Sequence, residues 1–357
     1  MKRGLVEWDR QELPEGAFAA RLAACRAGMC EERLDALLVY TDVWRAGHVR
    51  FLSHYLPYWS SGLLVLPLEG EPLLLSTQPQ RVFPWIAETS LLREVRAAPA
   101  LGKAAAAVLA ERGWRRAGVV ELQELPWGIY ADLTAEAPGA CELVDASALM
   151  RGVRLSEDGH EEALLTKAAA MAAAPLAALD PVGQRDWAVI ATLERAYRRA
   201  GAEDLMLLVT SPTAGQWPGV PREAVLADGV LLQASLEYKG HWLQLSRTWL
   251  PAGASPLRGL YDRLGRAYAE LSETARPGLS EAEAAGLLKR LAPGDGLHLF
   301  AAHASGSAPF TPLPGLDGIE EGMVVALHLG AEDRQGHRAL VGDTFLARRE
   351  GLARVTT

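Results

Sequence analysis

The sequence predicts an α/β domain over residues 1–150 followed by an α+β domain over residues 151–357. Three observations carry this reading. A length of 357 residues exceeds what one ordinary core accommodates. The first half alternates helix-period patterns with apolar runs of strand length. The second half opens on two helical stretches and then gathers its strands, a hairpin signature among them.

In chain order, Phe18, Leu22, Cys25 and Met29 recur at three- and four-residue spacing, the stripe of an amphipathic helix. Residues 34–40 and 62–67 are short apolar runs suited to buried strands, and residues 72–75 follow the Glu69-Gly70-Glu71 turn as the return strand of a hairpin. A helix over 102–112, a strand over 117–121 and a helix over 127–135 continue the alternation. Ser156 is the expected N-cap of a long helix reaching Leu179, because Glu157, Asp158, Glu161 and Glu162 all suit the positive end of a helix dipole. Asp180-Pro181-Val182-Gly183 stops that helix, and another is expected over 184–199. Strand runs over 231–236 and 241–249 flank Glu237-Tyr238-Lys239-Gly240, a glycine-bearing hairpin loop. Ser280 and Glu283 form a capping box for a helix ending near Leu291. Strands are expected near 298–303, 323–329 and 340–347.

Composition excludes several function classes. No apolar run approaches the ~18 residues that cross a bilayer, so no membrane partner is expected. The start Met1-Lys2-Arg3 has no apolar segment after it, which points to the cytoplasm. Cys25, Cys30 and Cys141 show no metal or disulfide spacing. A net charge of -8, with arginines scattered among glutamates, argues against a nucleic-acid partner.

The run Asp228 to Gln233, then Glu237-Tyr238-Lys239-Gly240-His241, then Gln244-Leu245-Ser246-Arg247-Thr248, resembles a hairpin of the methionine aminopeptidase, prolidase and creatinase superfamily. Arg154-Leu155-Ser156 with Glu161-Glu162, His303-Ala304-Ser305-Gly306, Glu321 to Val325 and Gly342-Asp343-Thr344 agree with it in order and spacing. His48-Val49-Arg50-Phe51-Leu52-Ser53 stands where the family's accessory domain has its asparagine-aromatic-leucine-threonine-glycine segment. The resemblance spans residues 17–350. It implies an N-terminal α/β domain, a C-terminal domain of the pita-bread fold, and a homodimer.

The resemblance also implies where a site would lie. Metal-dependent members hold two divalent cations with an aspartate on each hairpin strand, a histidine and two glutamates. The aligned positions here are Gln233, Gln244, His303, His328 and Gly342, so four carboxylates are replaced by neutral groups. Paired dications repel strongly and need bridging anionic oxygens, so no metal and no other cofactor is expected. A single zinc on His303 and His328 lacks a third ligand, since Asp343 follows Gly342 on a strand and points to the other face.

Creatinase is the relevant precedent, a relative of this fold that cleaves a C–N bond without metal. By that resemblance His303 is the general base, with His328 as its partner or as the acid. Gln233 and Gln244 offer both donors and acceptors to a polar substrate, though they read equally as hydrogen-bonded strand residues. Ser246 and His328 stand where creatinase has glutamates, which counts against creatine, and the family's other histidine is replaced near Gln216-Trp217-Pro218, which counts against peptides. Trp217 suits stacking on a flat or cationic group, or plain packing. His241 and His298 lie on strands of the inferred site with their facing open. Arg50 and Tyr55 enter because a neighbouring subunit's N-terminal domain borders the pocket in creatinase-like dimers. Three readings follow: a metal-independent hydrolase or lyase of a small polar molecule, an Xaa-Pro metallopeptidase with altered ligands acting on short peptides, and a silent peptide- or protein-binding module.

Overall fold

The computed structural model describes residues 7–136, 141–156, 158–253, 255, 257–291, 296–303, 311–312 and 318–356, with the backbone alone for residues 136, 281, 291, 301–303 and 311–312. They fall into two compact units, one within Val6–His160 and the other within Glu161–Ser305 and Pro309–Thr357.

The first unit comprises α1 (Glu15–Glu32), β1 (Ala36–Thr41), α2 (Gly47–Ser53), β2 (Gly62–Pro67), β3 (Leu73–Ser76), α3 (Phe83–Thr89), β4 (Glu94–Ala97), α4 (Leu101–Glu111), β5 (Arg116–Val120), α5 (Trp127–Glu136), β6 (Glu142–Asp145) and α6 (Ser147–Leu155). Its sheet has the order β4-β3-β2-β1-β5-β6. The strands are apolar on both sides because helices cover both sides. Leu37 and Val39 join Leu22, Cys25 and Met29 in one core, while Leu38 and Leu63 join Ala105 and Leu109 in the other. The expected stripe of α1 is the buried one: Phe18, Leu22, Cys25 and Met29 are all interior.

Ser156 does not cap the next helix. It follows α6, and its hydroxyl donates to the Val153 carbonyl. Asp158 supplies the start instead, its Oδ1 accepting from the His160 N–H at 2.9 Å. A carboxylate is the stronger acceptor at the positive end of a helix.

The second unit comprises α7 (Gly159–Ala177), α8 (Asp186–Ala200), β7 (Asp204–Thr210), β8 (Val230–Tyr238), β9 (His241–Trp249), α9 (Arg258–Thr274), α10 (Glu281–Leu291), β10 (Gly296–His303), β11 (Thr311–Pro312), β12 (Val324–Glu332), β13 (Arg338–Arg348) and β14 (Gly351–Arg354). Its sheet runs β11-β10-β12-β13-β9-β8-β7, with β14 also paired to β13. Among the described residues, the strand pairings of this sheet are all antiparallel. The β8–β9 hairpin turns on Lys239 and Gly240, both at positive φ (48° and 91°), the pattern of a two-residue type I′ turn. The capping box forms as expected, with the Ser280 N–H donating to Glu283 Oε2 at 2.9 Å.

Antiparallel pairing puts directly opposed residues on one face, so register sorts the side chains. Leu232, Ala234, Leu236, Leu243, Leu245, Val325, Leu327 and Leu329 share the helix-covered face, where the Tyr268 hydroxyl of α9 donates to the Leu327 carbonyl. Gln233, Ser235, Gln244, Ser246, Gly342 and His328 share the opposite face. Among the described residues no helix is long and apolar enough to cross a membrane.

Candidate functional site

Register aligns the inferred site into a row across six strands: Leu208, Gln233, Ser246, Gly342, His328 and Phe300. Gln244 stands two residues from Ser246 on the same face. The centre of the row is hydrogen bonded. Ser246 Oγ lies 2.8 Å from His328 Nδ1, and His328 Nε2 lies 3.1 Å from Gln244 Oε1. Gln233 Nε2 donates to the same Gln244 oxygen at 3.5 Å. With Gln244 presenting its carbonyl, His328 carries its proton on Nε2 and accepts from the Ser246 hydroxyl at Nδ1.

The glycine opposite His328 makes this possible. A Cβ at Gly342 would sit 2.1 Å from His328 Nδ1, 2.7 Å from Cγ and 2.9 Å from Cε1. The imidazole therefore lies across the space of a missing side chain in order to reach Ser246 on the strand beyond. His328 is 5% exposed, and burial, with the Arg247 guanidinium second, pushes its pKa from 6.5 down to about 4. The ring is neutral at pH 7.

The neighbourhood changes character toward β10. Phe300 is directly opposite His328 and is 45% exposed. Trp217, from the loop between β7 and β8, sets its ring 5.8 Å from Phe300 and 5.4 Å from His298, both edge-on. It lies so close over Gly330 that a Cβ there would meet its ring at 2.4 Å. The Arg338 guanidinium sits 5.0 Å from the Trp217 centroid and is paired with Glu332 at 3.0 Å.

The sequence-predicted residues thus separate. Gln233, Gln244 and His328 meet, and Trp217 and His298 stand beside Phe300 on the same face. His303 ends β10 in register with Val325, a helix-covered position three rows from His328, and its side chain lies outside the described residues. His241 lies on the helix-covered face, with Nε2 3.1 Å from Glu161 Oε2 of α7. Asp343 is on that face too, taking Arg247 Nη2 at 2.6 Å and Thr356 Oγ1 at 3.1 Å. In the first unit Tyr55 is fully buried within a core and Arg50 is 3% exposed, so neither stands out as a surface clamp. Sequence reasoning missed Ser246 as the hydrogen-bond partner of His328, and Phe300 and Ser235 altogether. The strand pattern held a signal for Phe300, which shares parity with His298.

Residues 158–355 match the model of Metallopeptidase family M24, and residues 21–156 match that of the Creatinase/Prolidase N-terminal domain. No curated protein matches. Among solved structures, the prolidase from Pyrococcus horikoshii is 18% identical over 95% of this chain and 98% of its own, with a TM-score of 0.75. An Xaa-Pro dipeptidase from Bacillus anthracis is 20% identical over 95% and 98%, also at 0.75. An X-Pro aminopeptidase from Thermotoga maritima is 13% identical over 94% and 97%, at 0.78. The α/β first unit and the antiparallel sheet of the second have the pita-bread architecture of these proteins.

That family description implies bound metal. The row offers two neutral amides, one hydroxyl and an imidazole whose nitrogens are both bonded. Among the described residues no three His, Cys, Asp or Glu side chains converge. Such donors do not fit a pair of divalent cations, which need anionic bridges.

Proposed function

We propose, starting from the fact that this chain belongs to metallopeptidase family M24, that it is a hydrolase of that superfamily which cleaves a C–N bond of a small polar molecule without paired metal ions. The observation that carries this reading is the neutral hydrogen-bonded network in which Gln233, Gln244 and His328 stand at aligned metal positions and Ser246 holds His328. With no anionic oxygen among the described residues of this row, catalysis must rest on proton transfer and on oriented dipoles.

His328 is a positioning residue in this scheme. A ring pushed down to about 4 and bonded at both nitrogens takes up a proton poorly at neutral pH, but it holds Gln244 and Ser246 in place. The general base in this reading is His303, whose side chain must reach around the end of β10 because its backbone is in register with Val325 of the helix-covered face; it removes a proton from water as the water adds to the substrate carbonyl or amidine carbon and returns it to the leaving nitrogen. Gln233 and Gln244 hold the substrate's polar group. The protein acts as a cytoplasmic homodimer on small molecules or short peptides.

The family match equally supports a second reading, an Xaa-Pro peptidase with a rearranged ligand set. Metal analysis separates the two. About two equivalents of zinc, manganese or cobalt per chain in the purified protein sinks the metal-free mechanism. With metal absent, a panel of amides, guanidines and N-acyl amino acids should include a compound that turns over, and His303→Ala should abolish that turnover in a folded protein. No turnover together with tight binding of a peptide would leave a binding module instead.

A further inference from the structure

We infer that the polar face of the second unit's sheet, opposite the helix-covered one, is a binding site for an uncharged amide carrying a planar apolar group. This inference rests on the hydrolase reading for its placement and narrows its substrate class.

The polar half of the site has capacity to spare. Ser235 is fully buried on the same face as Gln233 and Gln244, in register with Gln244, and its hydroxyl has no hydrogen-bond partner among the described residues. A buried polar atom of this kind calls for a ligand or a water. Gln233 is half-buried and makes a single long donation, 3.5 Å, to Gln244, which leaves its Oε1 and its second N–H available. One acceptor beside one donor matches the C=O and N–H of an amide.

The apolar half is built. Phe300 is in line with His328, and Trp217 closes against Phe300 and His298 over Gly330, where the absence of a Cβ lets the indole settle on the sheet. An aromatic wall bordering a polar row fits a molecule with a planar apolar part joined to a polar head.

Charge decides between an amide and a guanidinium. Among the described residues, the carboxylates in register with this face are Asp204, Glu237 and Glu332, each four residues along its strand from Leu208, Gln233 or His328, or about 13 Å at ~3.3 Å per residue. Glu332 is already paired with Arg338, and Asp343 belongs to the other face. A cation at the centre of the row would lose water without gaining a counter-ion, whereas a neutral amide exchanges hydrogen bonds one for one.

Benzamide, benzamidine and acetamide test this by ligand-observed NMR titration of the full chain. Benzamide should bind about tenfold or more tightly than either the cationic amidine or the ringless amide. Phe300→Ala, at an exposed position that tolerates truncation, should weaken benzamide about tenfold with unchanged thermal unfolding. Phe300→Tyr should keep the affinity. Equal or tighter binding of benzamidine, undiminished benzamide binding in Phe300→Ala, or no benzamide binding overturns the inference. Turnover of a substrate whose KM ignores Phe300→Ala also overturns it and leaves the hydrolase reading standing. The expected binding with no turnover of any C–N substrate overturns the hydrolase reading alone.

Discussion

Replacing Gly342 by alanine adds one methyl group, and the structure predicts an outsized response. The new carbon would fall 2.1 Å from His328 Nδ1 and within 3 Å of two more ring atoms, so the imidazole must leave. Its departure breaks the bonds to Ser246 and Gln244 and strands groups that are 0% and 5% exposed. A buried hydrogen bond contributes about 1 kcal/mol, and each stranded partner costs about 1–3 kcal/mol. Against this, Gly342 has no positive φ, so alanine gains about 0.5–1 kcal/mol from its smaller backbone entropy loss. Two stranded partners less the entropy gain give a net expected loss of about 1–5 kcal/mol. The diagnostic is a double-mutant cycle by urea unfolding. His328→Ala also destabilises, but in that background Gly342→Ala should be neutral or slightly stabilising, giving a coupling of about 2 kcal/mol or more. Additive costs, or a Gly342→Ala chain as stable as the parent, would show that the ring does not occupy that space.

Acid should expose the His328 ring. Its folded pKa of about 4 lies below the ordinary 6.5, so between those values the unfolded chain binds the extra proton and stability falls as pH drops through that window. His328→Gln should flatten that part of the stability–pH curve, and a parent curve no steeper than the variant's counts against a buried neutral imidazole. On the helix-covered face, Asp343→Ala removes the acceptor that Arg247 reaches at 2.6 Å and Thr356 at 3.1 Å and should cost about 2–3 kcal/mol in urea unfolding. A loss under about 0.5 kcal/mol would mean the pair is solvated.

Local rules explain what the sequence made visible. The Ser280–Glu283 box and the Lys239-Gly240 turn depend on a few adjacent residues, and both form as read. The stripe of α1 is legible because its period is intrinsic to the helix. Ser156 misled because two capping residues, Ser156 and Asp158, stand two apart, and pattern alone does not rank them. The α9 helix carries Leu260, Leu264, Ala267, Tyr268 and Leu271 at helical spacing, a signal as plain as that of α1 and absent from the expected elements. For the site, aligned motifs pointed to Gln233, Gln244 and His328, but not to what His328 touches. Its contacts cross one strand to reach Ser246 and depend on Gly342 lacking a side chain. Phe300 and Ser235 join the face only once register is known, and register is a property of strand pairs.

The same geometry bears on whether the neutral row is a damaged metal site or a site of another kind. Losing a side chain at 342 alone would leave a void, and a large ring at 328 alone would clash with any residue opposite it. Here the ring fills the vacated space and finds a partner at each nitrogen, on Ser246 and on Gln244. A cation placed at the centre of this row would have to unseat the imidazole and break both of its bonds, while the oxygen already available to it, Gln233 Oε1, is that of a neutral amide. A small amide need displace only the 3.5 Å contact between Gln233 and Gln244, the longest in the network and the one beside the Ser235 hydroxyl, which has no partner among the described residues. The weakest contact in the row therefore lies where a neutral polar ligand can replace it like for like, and the strongest lie where a metal would have to enter.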